Sequence, residues 1–198
     1  MNIIFLDIDG VFLTYRPEKY FEKISYGCNW DVFEVFLKLL EKSIVPTKIV
    51  MISTIMISND PFKKFNRYHL LKERFIQLLH PECNSLVQPY LSGNRGLGIE
   101  KWLETYGQDV EKFVVIDDSF HRYFTDNNLP NLKSKFYLIP CNTSYGMQWI
   151  ELRLLELFLA KRLSPVNKDY IRQFLSHGFG DDIDIRKFWK NNILPKIE

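Results

Sequence analysis

Ile3-Ile4-Phe5-Leu6-Asp7-Ile8-Asp9-Gly10-Val11 is an apolar run that breaks on two carboxylates one residue apart. An apolar run of this kind suits a central strand buried on both faces of a parallel sheet. Aspartate is a poor strand former and is almost never buried without a partner. Asp7 and Asp9 therefore mark the end of the strand and a place where charge must be compensated. In an open α/β sheet ligands bind at the carboxyl ends of the strands, and the natural compensator is a cation, a phosphoryl group or both. Gly10 then lets the backbone turn away sharply.

The same event recurs downstream, where Phe113-Val114-Val115-Ile116 runs straight into Asp117 and Asp118. Two parallel strands ending in paired aspartates place four acidic groups at one edge of a sheet, a cluster that requires a divalent cation. The chain between and around them alternates strand and helix. Asn29 can cap a helix with Trp30, Phe33, Phe36, Leu37 and Leu40 on one face, ending near Lys42. Lys48 to Ile52 reads as a second buried strand, closing on Ser53 and Thr54, and strand, helix, strand at this distance is a parallel unit by default. Residues 66–80 form an amphipathic stretch with Tyr68, Leu71, Phe75, Leu78 and Leu79 inward. Gly93 to Gly98 reads as a glycine-rich turn that carries Arg95 and leads into a helix over 99–106. A last strand covers 136–139, and a long helix covers 147–163 with Trp149, Leu152, Leu155, Leu159 and Leu163 on one side. Residues 12–28 suit a loop or small flap, 86–90 a weak extended segment, and 168–176 and 184–192 two short helices.

Composition narrows the class. A chain of 198 residues, 46% hydrophobic and 25% charged, suits one globular domain with a full core, or one domain plus a small appendage. A net charge of +2 provides no general attraction to nucleic acid or membrane, though a local basic patch remains compatible with it. Cys28, Cys83 and Cys141 stand far apart with no CxxC pair, which argues against a disulfide framework or structural zinc and favours a reducing compartment. The first apolar stretch carries no basic leader, and no run approaches the roughly 20 apolar residues of a membrane span, so a cytoplasmic location, or export by a route that leaves no N-terminal mark, is expected. The histidines His69, His80, His121 and His177 share no metal-ligand spacing, and Asp181, Asp182 and Asp184 lack the full spacing of a calcium loop.

With Asp7-Ile8-Asp9-Gly10-Val11 on the first strand and Asp117-Asp118 on a later one, the chain resembles the haloacid dehalogenase (HAD) superfamily of phosphohydrolases over roughly residues 1–160. The stretch from Arg95 through Trp102 to Asp118 looks most like the small HAD subgroup associated with nucleic-acid repair proteins. The resemblance implies a Rossmann-like three-layer α/β/α sandwich with a mainly parallel central sheet. It places the HAD-like domain over residues 1–163 and leaves 164–198 as a helical extension. It also implies roles. Asp7 would be the nucleophile that forms an aspartyl-phosphate, and Asp9 the general acid and then base. Mg²⁺ would be held by Asp7, the backbone carbonyl of Asp9 and Asp117, with Asp118 assisting directly or through water. Ser53, with Thr54 as a substitute, and Arg95, with Lys101 as a fallback, would meet the phosphoryl oxygens. The family position held here by Arg95 is usually a lysine, and Thr54-Ile55-Met56-Ile57 departs from the polar segment that usually follows the serine.

The short segments 9–29 and 95–117 leave room for no large cap, so a substrate big enough to seal the opening itself is expected. The expected function is a Mg²⁺-dependent phosphatase acting on a phosphorylated nucleic-acid end or a phosphoprotein. The alternatives are a phosphotransferase of the same type, or a weakly active binding module that uses 164–198 for a protein partner.

Overall fold

The computed structural model describes residues 1–16, 25–28, 30–53, 69–83, 95–118, 136–141 and 146–163. Strands β1 (Asn2–Leu6), β4 (Thr47–Met51), β5 (Lys112–Asp117) and β6 (Phe136–Pro140) form one parallel sheet in the order β4-β1-β5-β6. The register pairs Leu6 with Met51 on one side and with Ile116 on the other, so the three strands end level. Side chains alternate across a strand, and here both faces are apolar. Ile4, Leu6, Ile49, Met51, Val114, Ile116 and Ile139 belong to one buried cluster, while Ile3, Phe5, Val50, Phe113, Val115 and Leu138 belong to a second.

Helices cover both clusters and complete a three-layer α/β/α sandwich. On the first face lie α1 (Trp30–Glu41), α2 (His69–Leu78) and α4 (Trp149–Leu159). Phe33 and Phe36 of α1 meet Phe12 edge to face at centroid distances of 4.9 and 5.1 Å, and Phe75 of α2 reaches Phe33 at 5.6 Å. Each such ring contributes about 1.5–3 kcal/mol by leaving water. Asp31 in the first turn and Lys38 in the last both suit the helix dipole. The second face is covered by α3 (Arg95–Tyr106), whose Ile99 and Trp102 are buried. Trp102 meets Phe5 edge to face at 5.5 Å and donates its Nε1–H to the Glu82 carbonyl at 2.9 Å. A single 3₁₀ turn, Gly107–Asp109, links α3 to β5.

Three expectations change. The flap contains an antiparallel ribbon of β2 (Leu13–Arg16) and β3 (Ser25–Cys28), paired Leu13 to Cys28 and Arg16 to Ser25. The helix expected from residue 99 starts at Arg95 and runs through Gly96 and Gly98, so tertiary contacts override the weak helix propensity of glycine. Trp149, expected inward, is 64% exposed, because it opens α4 beyond the layer that Leu152, Leu155 and Phe158 bury. Asn29, Thr54, Tyr68, residues 86–90, His121 and the whole of 164–198, with its two expected short helices, lie outside the described residues. Among the described residues no helix is long and apolar enough to cross a membrane.

Candidate active site

The sheet ladder continues one residue past β1 and then stops. Asp7 donates its backbone N–H to the Ile116 carbonyl at 2.9 Å, and Ile52 donates to the Leu6 carbonyl at 2.9 Å. On the far side Cys141 donates to the Asp117 carbonyl at 3.0 Å. These bonds seat Asp7 between Ser53, which follows Ile52, and Asp117, the last residue of β5. All three are buried.

Beyond Asp7 the chain closes a tight loop. Phe12 and Leu13 both donate to the Ile8 carbonyl at 3.0 Å, and Gly10 donates to the Leu13 carbonyl at 2.8 Å. Gly10 has φ 75°, and a Cβ there would stand 2.0 Å from Asp118 Oδ2. Only glycine satisfies both the left-handed backbone and the close approach of that carboxylate. The loop is also tied to α4, because Met147 donates its N–H to the Val11 carbonyl at 2.7 Å. A capping box holds the start of that helix, with Gln148 N–H donating to Glu151 Oε2 at 2.8 Å.

Of the four acidic groups that the sequence places at the strand ends, three come together. Carboxylate oxygens of Asp7, Asp117 and Asp118 lie within 4.8 Å of one another. The Asp9 carboxylate is not one of this group. It accepts a long hydrogen bond from Ser53 Oγ at 3.4 Å and is only partly buried. Asp7 therefore faces the cluster while Asp9 faces the serine, a division of labour within one DxD.

Arg95 takes a place that sequence reasoning did not assign to it. Its guanidinium is 4% exposed, and Nη1 donates to Asp7 Oδ2 at 2.5 Å and to Asp117 Oδ2 at 2.6 Å. Asp7 Oδ1 is taken by the Ile8 N–H at 2.8 Å. Lys101 lies on the exposed part of α3 and pairs with Glu104 at 3.1 Å, so it is not part of the cluster. Thr54 lies outside the described residues.

Three carboxylates and Arg95 share this small buried volume. Burial first, and then the charge of Asp117, raise the Asp7 carboxyl to about 7 against the pull of Arg95, with Asp118 adding a smaller push. Burial also pushes the neighbouring Cys141 thiol well above its usual range, with Glu151, Asp118, Asp117 and Asp7 adding to the effect, so that thiol stays protonated and inert. The donor set fits a hard divalent cation. It consists of three carboxylates whose oxygens lie within 4.8 Å of one another, the ligand type a Mg²⁺-like ion would take.

No curated protein and no solved structure matches the chain. The sequence profile of the HAD domain in Swiss Army Knife RNA repair proteins matches residues 3–151, from the first residue of the opening apolar run into α4, and the chain belongs to that family.

Proposed function

We propose that the protein is a Mg²⁺-dependent phosphatase that removes a phosphomonoester from a nucleic-acid end through an aspartyl-phosphate on Asp7. The single observation that carries this reading is the convergence of Asp7, Asp117 and Asp118 to within 4.8 Å at the ends of two adjacent parallel strands. Mg²⁺ would be held by Asp7, Asp117, the Asp9 carbonyl and, directly or through water, Asp118. Bound there, it supplies charge stabilisation to the phosphoryl oxygens.

The chain's own residues do the rest. An Asp7 oxygen attacks phosphorus while Asp9 gives its proton to the departing oxygen, and Asp9 then takes a proton from the water that hydrolyses the acyl phosphate. The partial exposure of Asp9 suits a group that must exchange protons during turnover, whereas buried Asp7 is shielded from water. Ser53, 3.4 Å from Asp9, is positioned to donate to a phosphoryl oxygen beside it. Arg95, bonded to Asp7 Oδ2 at 2.5 Å, is a cation beside the reacting oxygens.

Support for a macromolecular substrate comes from the frame around the site and from the family. Among the described residues, the segment after Asp9 contributes the antiparallel β2–β3 ribbon, and the segment between Arg95 and Asp117 one helix and a 3₁₀ turn. Short insertions of this kind support a substrate large enough to exclude water itself. The family name refers to RNA repair proteins, which favours a phosphorylated RNA end over a phosphoprotein. The test is hydrolysis of 5′- and 3′-phosphorylated oligoribonucleotides, phosphopeptides, sugar phosphates and nucleoside monophosphates, with and without Mg²⁺. Faster turnover of the small phosphates would sink the macromolecular assignment. Activity that survives Asp7→Asn would sink the covalent route.

A further inference from the structure

A guanidinium at the first residue of a helix is at the wrong end for the helix dipole, and a buried one needs a specific partner. Arg95 is both, and two carboxylates hold it. Its Nη1 bonds the Oδ2 atoms of Asp7 and Asp117 together, at 2.5 and 2.6 Å. Asp7 Oδ1 already accepts the Ile8 N–H, so Oδ2 is the oxygen that Asp7 offers to the cluster. Two of the three carboxylates that would bind a divalent ion are thus held by the arginine.

We propose that Arg95 is a built-in stand-in for the divalent cation: its guanidinium holds the Asp7–Asp117 oxygen pair until a metal ion takes those oxygens, and is then released toward the phosphoryl group. The inference rests on the metal-dependent reading above and adds a binding order, metal before phosphate. A hydrogen bond from Nη1 and a metal bond to the same carboxylate oxygens compete for one small volume between the two strand ends. Every metal-binding event therefore carries the cost of displacing the arginine, which lowers apparent metal affinity by the fraction of molecules in which the pair is open. Displacement does not strand the charge. The backbone of Arg95 stays fixed at the start of α3, where the dipole and the guanidinium both favour an incoming anion. By linkage, metal strengthens phosphate binding and phosphate strengthens metal binding through this one side chain.

The experiment uses the full chain, with Mn²⁺ as the calorimetric probe and Mg²⁺ as the probe for nuclear magnetic resonance. Arg95→Gln is expected to bind Mn²⁺ about 10-fold more tightly than the unaltered protein, because the competitor is gone. Equal or weaker binding would overturn the proposal. If Arg95→Gln folds only when Mn²⁺ is supplied, the exchange of one cation for another is supported. If it folds in neither condition, Arg95→Met, which keeps the stem and removes the charge, replaces it, and unchanged Mn²⁺ affinity there counts against the proposal. Simple charge repulsion is separated from exchange by the guanidinium resonances of Arg95, identified by their loss in Arg95→Lys. Exchange moves them with the same midpoint as Mg²⁺ binding, whereas signals that stay in place while Mg²⁺ binds refute it. An unaltered protein that binds no Mn²⁺ overturns the metal-dependent reading itself, a result distinct from equal affinity in the variant.

Discussion

The two ends of the central sheet solve the burial of polar groups in opposite ways. At the amino end, Asn2, Thr47 and Lys112 are buried side by side, since Asn2 pairs in register with both of the others. Each has a local partner. Asn2 Nδ2 donates to Thr47 Oγ1 at 3.4 Å, Thr47 Oγ1 donates to the Val45 carbonyl at 2.9 Å, and Lys112 Nζ donates to the Phe158 carbonyl while lying 4.1 Å from that ring's centroid. At the carboxyl end, acids of one sign crowd around one arginine. The first end is held by these bonds, with Asn2 Oδ1 buried and without a hydrogen-bond partner among the described residues. The second gathers three carboxylates around Arg95, a crowding that raises the Asp7 carboxyl and is the property expected of a binding site.

The largest expected effect separates these roles most sharply. Asp7→Asn should lower turnover of an aryl phosphate by about 10³-fold or more while leaving the metal-free thermal midpoint unchanged or higher, because it removes one of the crowded charges. Loss of folding in that variant would break the contrast. Asp9→Asn should reduce turnover about 10²- to 10⁴-fold and leave Mn²⁺ affinity within a few-fold, since its carboxylate is turned to Ser53 and not to the cluster. Calorimetry showing joint loss of both functions would contradict that division.

Gly10→Ala lies between the two classes. The left-handed φ and the 2.0 Å clash with Asp118 Oδ2 should cost about 1–3 kcal/mol in denaturant unfolding, and metal affinity should weaken as Asp118 is pushed aside. At the opposite end, Lys112→Ala should cost about 1–2 kcal/mol through lost stem packing and the lost bond to Phe158, with turnover unchanged. A drop in turnover there would show that the two ends are coupled.

The smallest effect lies away from both ends, at His80. Burial lowers its pKa against a smaller upward pull from Glu82, and its Nδ1 accepts the Glu82 N–H at 3.1 Å, which requires the unprotonated nitrogen. The unfolded chain then binds the proton more readily than the folded one, so stability is full above the ordinary histidine pKa of about 6.5 and declines as pH falls below it. His80→Gln should flatten that part of the stability profile measured by thermal melts at a series of pH values. An unchanged slope would assign the decline to another group.

Particular residues show how far the sequence could be read. The strand ends were legible because an apolar run that stops on aspartate is a local pattern, and Asp7 follows β1 while Asp117 closes β5. The face of α1 was legible for the same reason, with Phe33, Phe36, Leu37 and Leu40 all buried. Trp149 was misread because its spacing matches the inward face, while its position at the first residue of α4 carries it past the layer that would cover it. Gly96 and Gly98 argued locally for a turn, yet the helix runs through them once Arg95 is anchored at its start.

By itself the sequence determined the alternation of strands and helices, the two acidic strand ends and the need for a cation between them, since periodicity and charge at a strand's end are properties of neighbouring residues. Only the tertiary structure decided which cation holds the carboxylates in the folded chain. Arg95 is 88 residues from Asp7 and 22 from Asp117 along the chain. Their meeting depends on β1 and β5 lying side by side and on α3 packing across the sheet with its first residue at the acidic end. No local pattern encodes that distance, because it is set by how the layers stack.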